Sequence, residues 1–176
     1  MINSLSLIGM PACGKSTLGR HIARRTGLRF VDGDRLIEQR EGQTLAQLLA
    51  QRGYLGLREA EERALLAEDF SGVVLATGGS AVYSQPVMKK LHRLGPVVFI
   101  DVTESELAKR LGNFAERGVA CAPGTDLSAL YAERQPLYER EADVRVAALG
   151  RGEQQLAEEV MLAAAEWQQR QSDTKE

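Results

Sequence analysis

With 176 residues, the chain is long enough for one α/β domain with its own core, and 22 basic against 24 acidic residues leave a net charge too close to zero to favour nucleic acid or an anionic membrane. The longest apolar runs, such as Val97 to Ile100, are strand-sized, and the opening MINSLSLIG carries neither a basic segment nor a cleavage site, so a cytoplasmic protein that spans no membrane is expected. Cys13 and Cys121 have no metal-ligand spacing to a partner and read as free thiols of a reduced compartment.

Short β-rich runs alternate with longer amphipathic segments, the pattern of a parallel sheet covered by helices on both faces. The first strand is predicted at Leu5–Ile8. Directly after it, Gly9, Met10, Pro11, Ala12, Cys13, Gly14, Lys15 and Ser16 match G-x-x-x-x-G-K-[ST], and a helix over Lys15–Thr26 follows. A strand before and a helix after are what the chemistry of this loop requires. Glycines let the backbone wrap phosphates, and amides at the helix N-terminus donate to their oxygens. The nucleotide-binding set is therefore Gly9, Pro11, Ala12, Cys13, Gly14, Lys15, Ser16 and Thr17. Within it Lys15 reaches the β- and γ-phosphates of ATP, and Ser16 holds Mg²⁺.

The second strand is predicted at Leu28–Val31, next to the phosphate loop in the sheet, with Asp32 and Asp34 at its end. Their alternate spacing points both toward that edge. Asp32 is assigned to the water shell of Mg²⁺, and Asp34 to accepting the proton of a substrate hydroxyl. Turn and helix-cap chemistry is the competing reading of such a pair. Helical segments at Arg35–Glu41, Leu45–Gln51 and Leu57–Asp69 then make residues 33–62 an insertion before the third strand, Val73–Ala76. Helix Gln85–Leu94, strand Val97–Asp101 and helix Glu104–Leu111 follow. Residues 112–126 hold three glycines and one proline and read as a lid. A helix at Leu127–Glu139 and a fifth strand at Asp143–Val146 come next. In the last helix Leu156, Val160, Ala164 and Trp167 form one apolar stripe, and Gln169–Glu176 is expected to fray. The expected architecture is a three-layer, doubly wound α/β fold with a five-stranded parallel sheet, one P-loop domain over residues 1–176.

A switch GTPase does not fit. No N-K-x-D motif is present, and the D-x-x-G match, Asp69 to Gly72, precedes the third strand instead of ending it. An ATP-sensing module without transfer chemistry would not need the residues on the acceptor side.

Those residues carry a resemblance. From the first strand to Asp143 the chain is similar to the shikimate kinases, a branch of the nucleoside monophosphate kinase-like P-loop fold, through GMPACGKSTLGR, FVDGDRLIEQREGQTLAQLL, LREAEERAL, LATGGSAVYS and ERQPLYER. The resemblance implies that Asp34, Arg58, Gly78, Gly79 and Arg134 contact the substrate. It further implies Arg110 beside adenine and Arg117 on the lid over the phosphates, with a catalytic set of Lys15, Asp34 and Arg117. ATP and Mg²⁺ are the implied cofactors, a small acidic hydroxylated molecule the implied partner, and a monomer the expected state. The chemistry is coherent: two guanidinium groups suit a ring carboxylate, a carboxylate suits its hydroxyls, and glycine amides stand clear where a side chain would collide.

Three departures from the family pattern lie on the acceptor side or the lid. Ser80 replaces the usual third glycine and joins the expected substrate-binding set, Leu57 replaces a phenylalanine, and Arg117, Gly118 and Val119 replace Arg-Pro-Leu. Drift that leaves shikimate as the acceptor and a paralogue acting on another small hydroxylated metabolite are both compatible with them.

Overall fold

The computed structural model describes residues 2–111 and 117–173, so 112–116 of the predicted lid and the last three residues lie outside the described residues. Five strands, β1 (Leu5–Ile8), β2 (Arg29–Asp32), β3 (Val73–Ala76), β4 (Val97–Asp101) and β5 (Val144–Ala147), form one parallel sheet in the order β2-β3-β1-β4-β5. Among the described residues seven α-helices pack around it: α1 (Lys15–Thr26), α2 (Gly33–Glu41), α3 (Leu45–Ala67), α4 (Gln85–Leu94), α5 (Glu104–Arg110), α6 (Leu127–Glu141) and α7 (Glu153–Asp173). The inner strands are buried on both faces, which is why β3 and β4 read as apolar runs up to Asp101 and β1 is interrupted only by the buried Ser6.

β1, β3, β4, α1 and α4 form at the expected residues. β2 and β5 are each shifted one residue toward the C-terminus, and α6 runs two residues further than expected. The two predicted helices at Leu45–Gln51 and Leu57–Asp69 are joined in α3 across a kink at Gly53, whose φ of 69° and ψ of 178° are not helical. A positive φ there is open to glycine at little steric cost. The C-terminal segment expected to fray stays helical through Asp173.

The larger correction concerns the sheet. β2 does not lie beside β1. It pairs with β3, with Asp32 opposite Ala76, and β3 stands between it and the strand that leads into the phosphate loop. Asp32 nevertheless reaches that loop, because α1 crosses back over β3 and presents Ser16 from its first turn. Nor do Asp32 and Asp34 alternate along a strand. Asp32 caps α2, accepting from the backbone amides of Asp34 and Arg35, and Asp34 sits in the first turn of that helix. The cap reading therefore holds for Asp32 through Oδ1, and its Oδ2 is left to face the phosphate loop.

No helix among the described residues is long and apolar enough to cross a membrane.

Candidate active site

The C-terminal ends of β1, β2 and β3 open into a cavity of about 530 Å³, where a doubly wound sheet places its ligands. Its floor is the phosphate loop. Gly9 at φ 145°, Ala12 at φ 61° and Gly14 at φ 98° turn the chain so that α1 starts at Lys15. The Gly9 φ goes with a close approach: a Cβ there would stand 2.8 Å from the carbonyl oxygen of Ile100. Lys15 is folded into the loop, its Nζ donating to the carbonyls of Gly9 (2.7 Å) and Met10 (2.9 Å) with the Cys13 Sγ at 3.5 Å. Pro11, Ala12, Gly14, Ser16 and Thr17 line the cavity, whereas Gly9 and Cys13 lie behind it.

Ser16 donates its hydroxyl to Asp32 Oδ2 at 2.7 Å. A hydroxyl and a carboxylate beside the phosphate seat are hard oxygen donors, the kind Mg²⁺ selects directly or through its waters, so these residues fit the ion expected from the sequence.

On the side expected to take the acceptor, Asp34, Glu61, Gly78, Gly79, Ser80 and Arg134 line the cavity. Asp34 reaches solvent through the open mouth while protein crowds it elsewhere; that desolvation raises its pKa against the pull of Lys15. Arg134, from α6, is only 1% exposed. Its Nη2 donates to the carbonyl of Ala120 at 2.8 Å, and Arg58 donates to the same oxygen through Nε (3.3 Å) and Nη2 (3.1 Å). Tyr83 lies under both cations, with the Arg58 guanidinium carbon 3.6 Å and that of Arg134 5.5 Å from its ring centroid. Arg58 stands behind the wall that Ala120 completes.

Gly78 and Gly79 are glycines because of what approaches them. A Cβ on Gly79 would stand 2.7 Å from Arg134 Nη1, and one on Gly78 would stand 2.3 Å from Glu61 Oε1 and 2.8 Å from Asp34 Oδ1. The carbonyl of Gly79 is held by the Tyr138 hydroxyl at 2.6 Å.

Glu61 was not among the residues singled out from the sequence. It is 3% exposed, and its burial pushes its pKa up to about 7. The available signal was its place one helical turn after Arg58 in LREAEERAL, which puts both on one face of α3. Ser80 lines the cavity, and its hydroxyl donates to Glu61 Oε2.

Arg110, the last residue of α5, and Arg117 also line the cavity. Arg117 Nη2 donates to the carbonyl of Arg110 at 3.1 Å and so is turned toward α5 in this state. Leu57 is buried in the wall.

Comparison with known proteins adds an independent line. The shikimate kinase family model matches residues 11–165. The chain is 40% identical over 145 residues to a shikimate kinase of Mycobacterium avium, spanning 80% of this chain and 81% of that protein. It is 38% identical over 144 residues to one of Paracidovorax citrulli, spanning 79% and 78%. Among solved structures it is similar to shikimate kinase from Acinetobacter baumannii in complex with shikimate, with a TM-score of 0.82, 28% identity and 92% of each chain covered.

Proposed function

The chain belongs to the shikimate kinase family, and on that premise we propose that its cavity transfers the γ-phosphoryl group of ATP to the 3-hydroxyl of shikimate, a step of aromatic amino acid biosynthesis. One observation carries the assignment of roles: a single cavity sets the phosphate loop, with Lys15 and Ser16, beside a carboxylate, Asp34, and a buried guanidinium, Arg134.

Arg134 binds the carboxylate of the acceptor, and Arg58 joins it from behind the wall by exchanging the Ala120 carbonyl for it. They already share an oxygen acceptor in Ala120, and a carboxylate offers the same pair of cations two charged oxygens in place of one neutral carbonyl. Gripping that group orients the ring so that a hydroxyl faces Asp34. As the hydroxyl oxygen attacks the γ-phosphorus, Asp34 takes its proton, the bond to the β-phosphate bridging oxygen breaks, and ADP leaves. Lys15 exchanges the carbonyls of Gly9 and Met10 for the β- and γ-phosphate oxygens and stabilises the charge that builds there. When bound through Ser16 and the Asp32 carboxylate, Mg²⁺ supplies further positive charge to the phosphates. Arg110 borders the adenine, and Arg117 turns from Arg110 toward the phosphates to help exclude water.

Shikimate as acceptor fits the departure at Ser80 as well. The hydroxyl that opened the reading of a different acceptor is engaged by Glu61, so it does not present a new donor to the ligand.

A coupled assay of ADP release tests the proposal. Release should depend on shikimate and stop when Mg²⁺ is chelated. No stimulation at millimolar shikimate, with folded protein that binds ATP, rules out this acceptor.

A further inference from the structure

Glu61 is a carboxyl group with two differently used oxygens. Oε2 accepts from Ser80, while among the described residues Oε1 has no hydrogen-bond partner and lies over Gly78, on the side to which Asp34 also turns. A buried polar atom left without a partner is uncommon; this one belongs to a residue that lines the cavity, so a ligand hydroxyl that reaches it supplies the partner it lacks.

The groups that act on Glu61 come from each element around it: Asp34 from α2, Arg134 from α6, Lys15 from α1, and Ser80 from the turn after β3. Burial favours the neutral acid, Asp34 adds to that, and the two cations oppose it. The Ser80 hydroxyl opposes it too, because a hydroxyl that donates to Oε2 is best satisfied by the anion. The two forms of Glu61 present opposite faces to a ligand. As the anion, Oε1 accepts; as the acid, the carboxyl can place a proton there and donate. An acceptor hydroxyl that must donate to Oε1 is matched by the first form alone.

We propose that Ser80 is a positioning residue of the acceptor site: it acts through Glu61, fixing the carboxylate as a hydrogen-bond acceptor at neutral pH, and so sets the pH range over which the acceptor binds. The proposal rests on the kinase reading given above. Ser80 itself takes no part in the chemistry. Its backbone, at φ −101° and ψ 1°, is open to any residue, so the side chain can be changed without straining the turn.

The test combines two readouts. The first is the titration of the Glu61 carboxyl, followed by carbon NMR in ligand-free wild type, Ser80→Ala and Ser80→Gly, with Glu61→Gln used to assign the resonance. The second is the KM for shikimate between pH 5.5 and 9, measured beside kcat and the KM for ATP. Loss of the hydroxyl should move the Glu61 titration up by about one pH unit. The acid-side rise in shikimate KM should move with it, giving a several-fold higher KM at pH 7 with kcat much less affected. Ser80→Thr, which keeps the hydroxyl, should restore the wild-type profile. Glu61→Gln and Glu61→Gln/Ser80→Ala should share one profile, since Ser80 then has no charge to act on. An unmoved Glu61 titration in both Ser80→Ala and Ser80→Gly overturns the proposal, as does an additive effect of Ser80→Ala in the Glu61→Gln background. If shikimate is not turned over at all, shikimate fails as the acceptor, whereas the NMR titration still decides whether Ser80 controls Glu61.

Discussion

Arg58 on α3 and Arg134 on α6 donate to one and the same oxygen, the carbonyl of Ala120, at distances between 2.8 and 3.3 Å. Arg58 has Glu133 as an ion-pair partner at 3.8 Å, whereas Arg134 lines the cavity, where an acceptor carboxylate would meet it. Arg134→Lys keeps the charge but loses the planar fork. Its KM for shikimate should rise roughly tenfold or more, with the KM for ATP changed much less. Arg58→Lys should act in the same direction. Equal losses for ATP and shikimate in steady-state kinetics would show that these arginines serve the nucleotide or the fold instead.

The two sides of the cavity should separate cleanly in kinetics. Asp34→Asn removes the proton acceptor while preserving shape, so kcat should fall about a hundredfold or more while ATP affinity, read by calorimetry, stays within a few-fold. Lys15→Met removes the cation that now rests on Gly9 and Met10 and should weaken both turnover and ATP binding. A turnover-competent Asp34→Asn would remove Asp34 from the chemistry.

Glu61 should also make stability depend on pH. Its pKa is raised by burial from 4.5 to about 7, so its contribution to stability is fully present below about pH 4.5 and is lost as pH rises through 7. Linkage puts the full span at about 3 kcal/mol as an upper bound. Glu61→Gln has no proton to lose. Measured by urea denaturation, it should gain on the wild type between pH 5 and pH 8; a constant difference across that range would mean that Glu61 does not titrate there.

The phosphate loop could be read from the sequence because four fixed residues between a strand and a helix impose their own geometry. Likewise the β-branched runs at Val73–Ala76 and Val97–Asp101 marked strands, since burial on both faces leaves little choice of residue. The order of the strands was not legible. β2 could pair with β1 or β3 as far as its own residues go, and only the crossing of α1 over β3 decides. Glu61 was hidden for a related reason: in LREAEERAL charges recur at every turn, and which of them faces inward depends on the packing of α3. The Ala120 carbonyl was invisible in principle, because a backbone oxygen carries no signature of residue type.

Gly79 offers a test of how rigidly the acceptor side is built. A methyl group there would stand 2.7 Å from Arg134 Nη1 and 3.1 Å from the Cδ of Pro11. At an exposed site the arginine would swing aside. Here it is almost wholly buried and tied to Ala120, and the proline ring cannot fold away, so Gly79→Ala has to push Arg134 out of place. The expected result is a KM for shikimate raised roughly tenfold or more together with a lower melting temperature, since overpacking a filled site typically costs about 1–3 kcal/mol. Gly42→Ala is the matched control: its φ is 65°, but a Cβ there meets nothing within 4 Å. It should cost only the strain of that backbone, about 1 kcal/mol, and leave the KM for shikimate alone. Wild-type KM in Gly79→Ala would mean that Arg134 is free to move, and its role as a fixed carboxylate clamp would have to be abandoned.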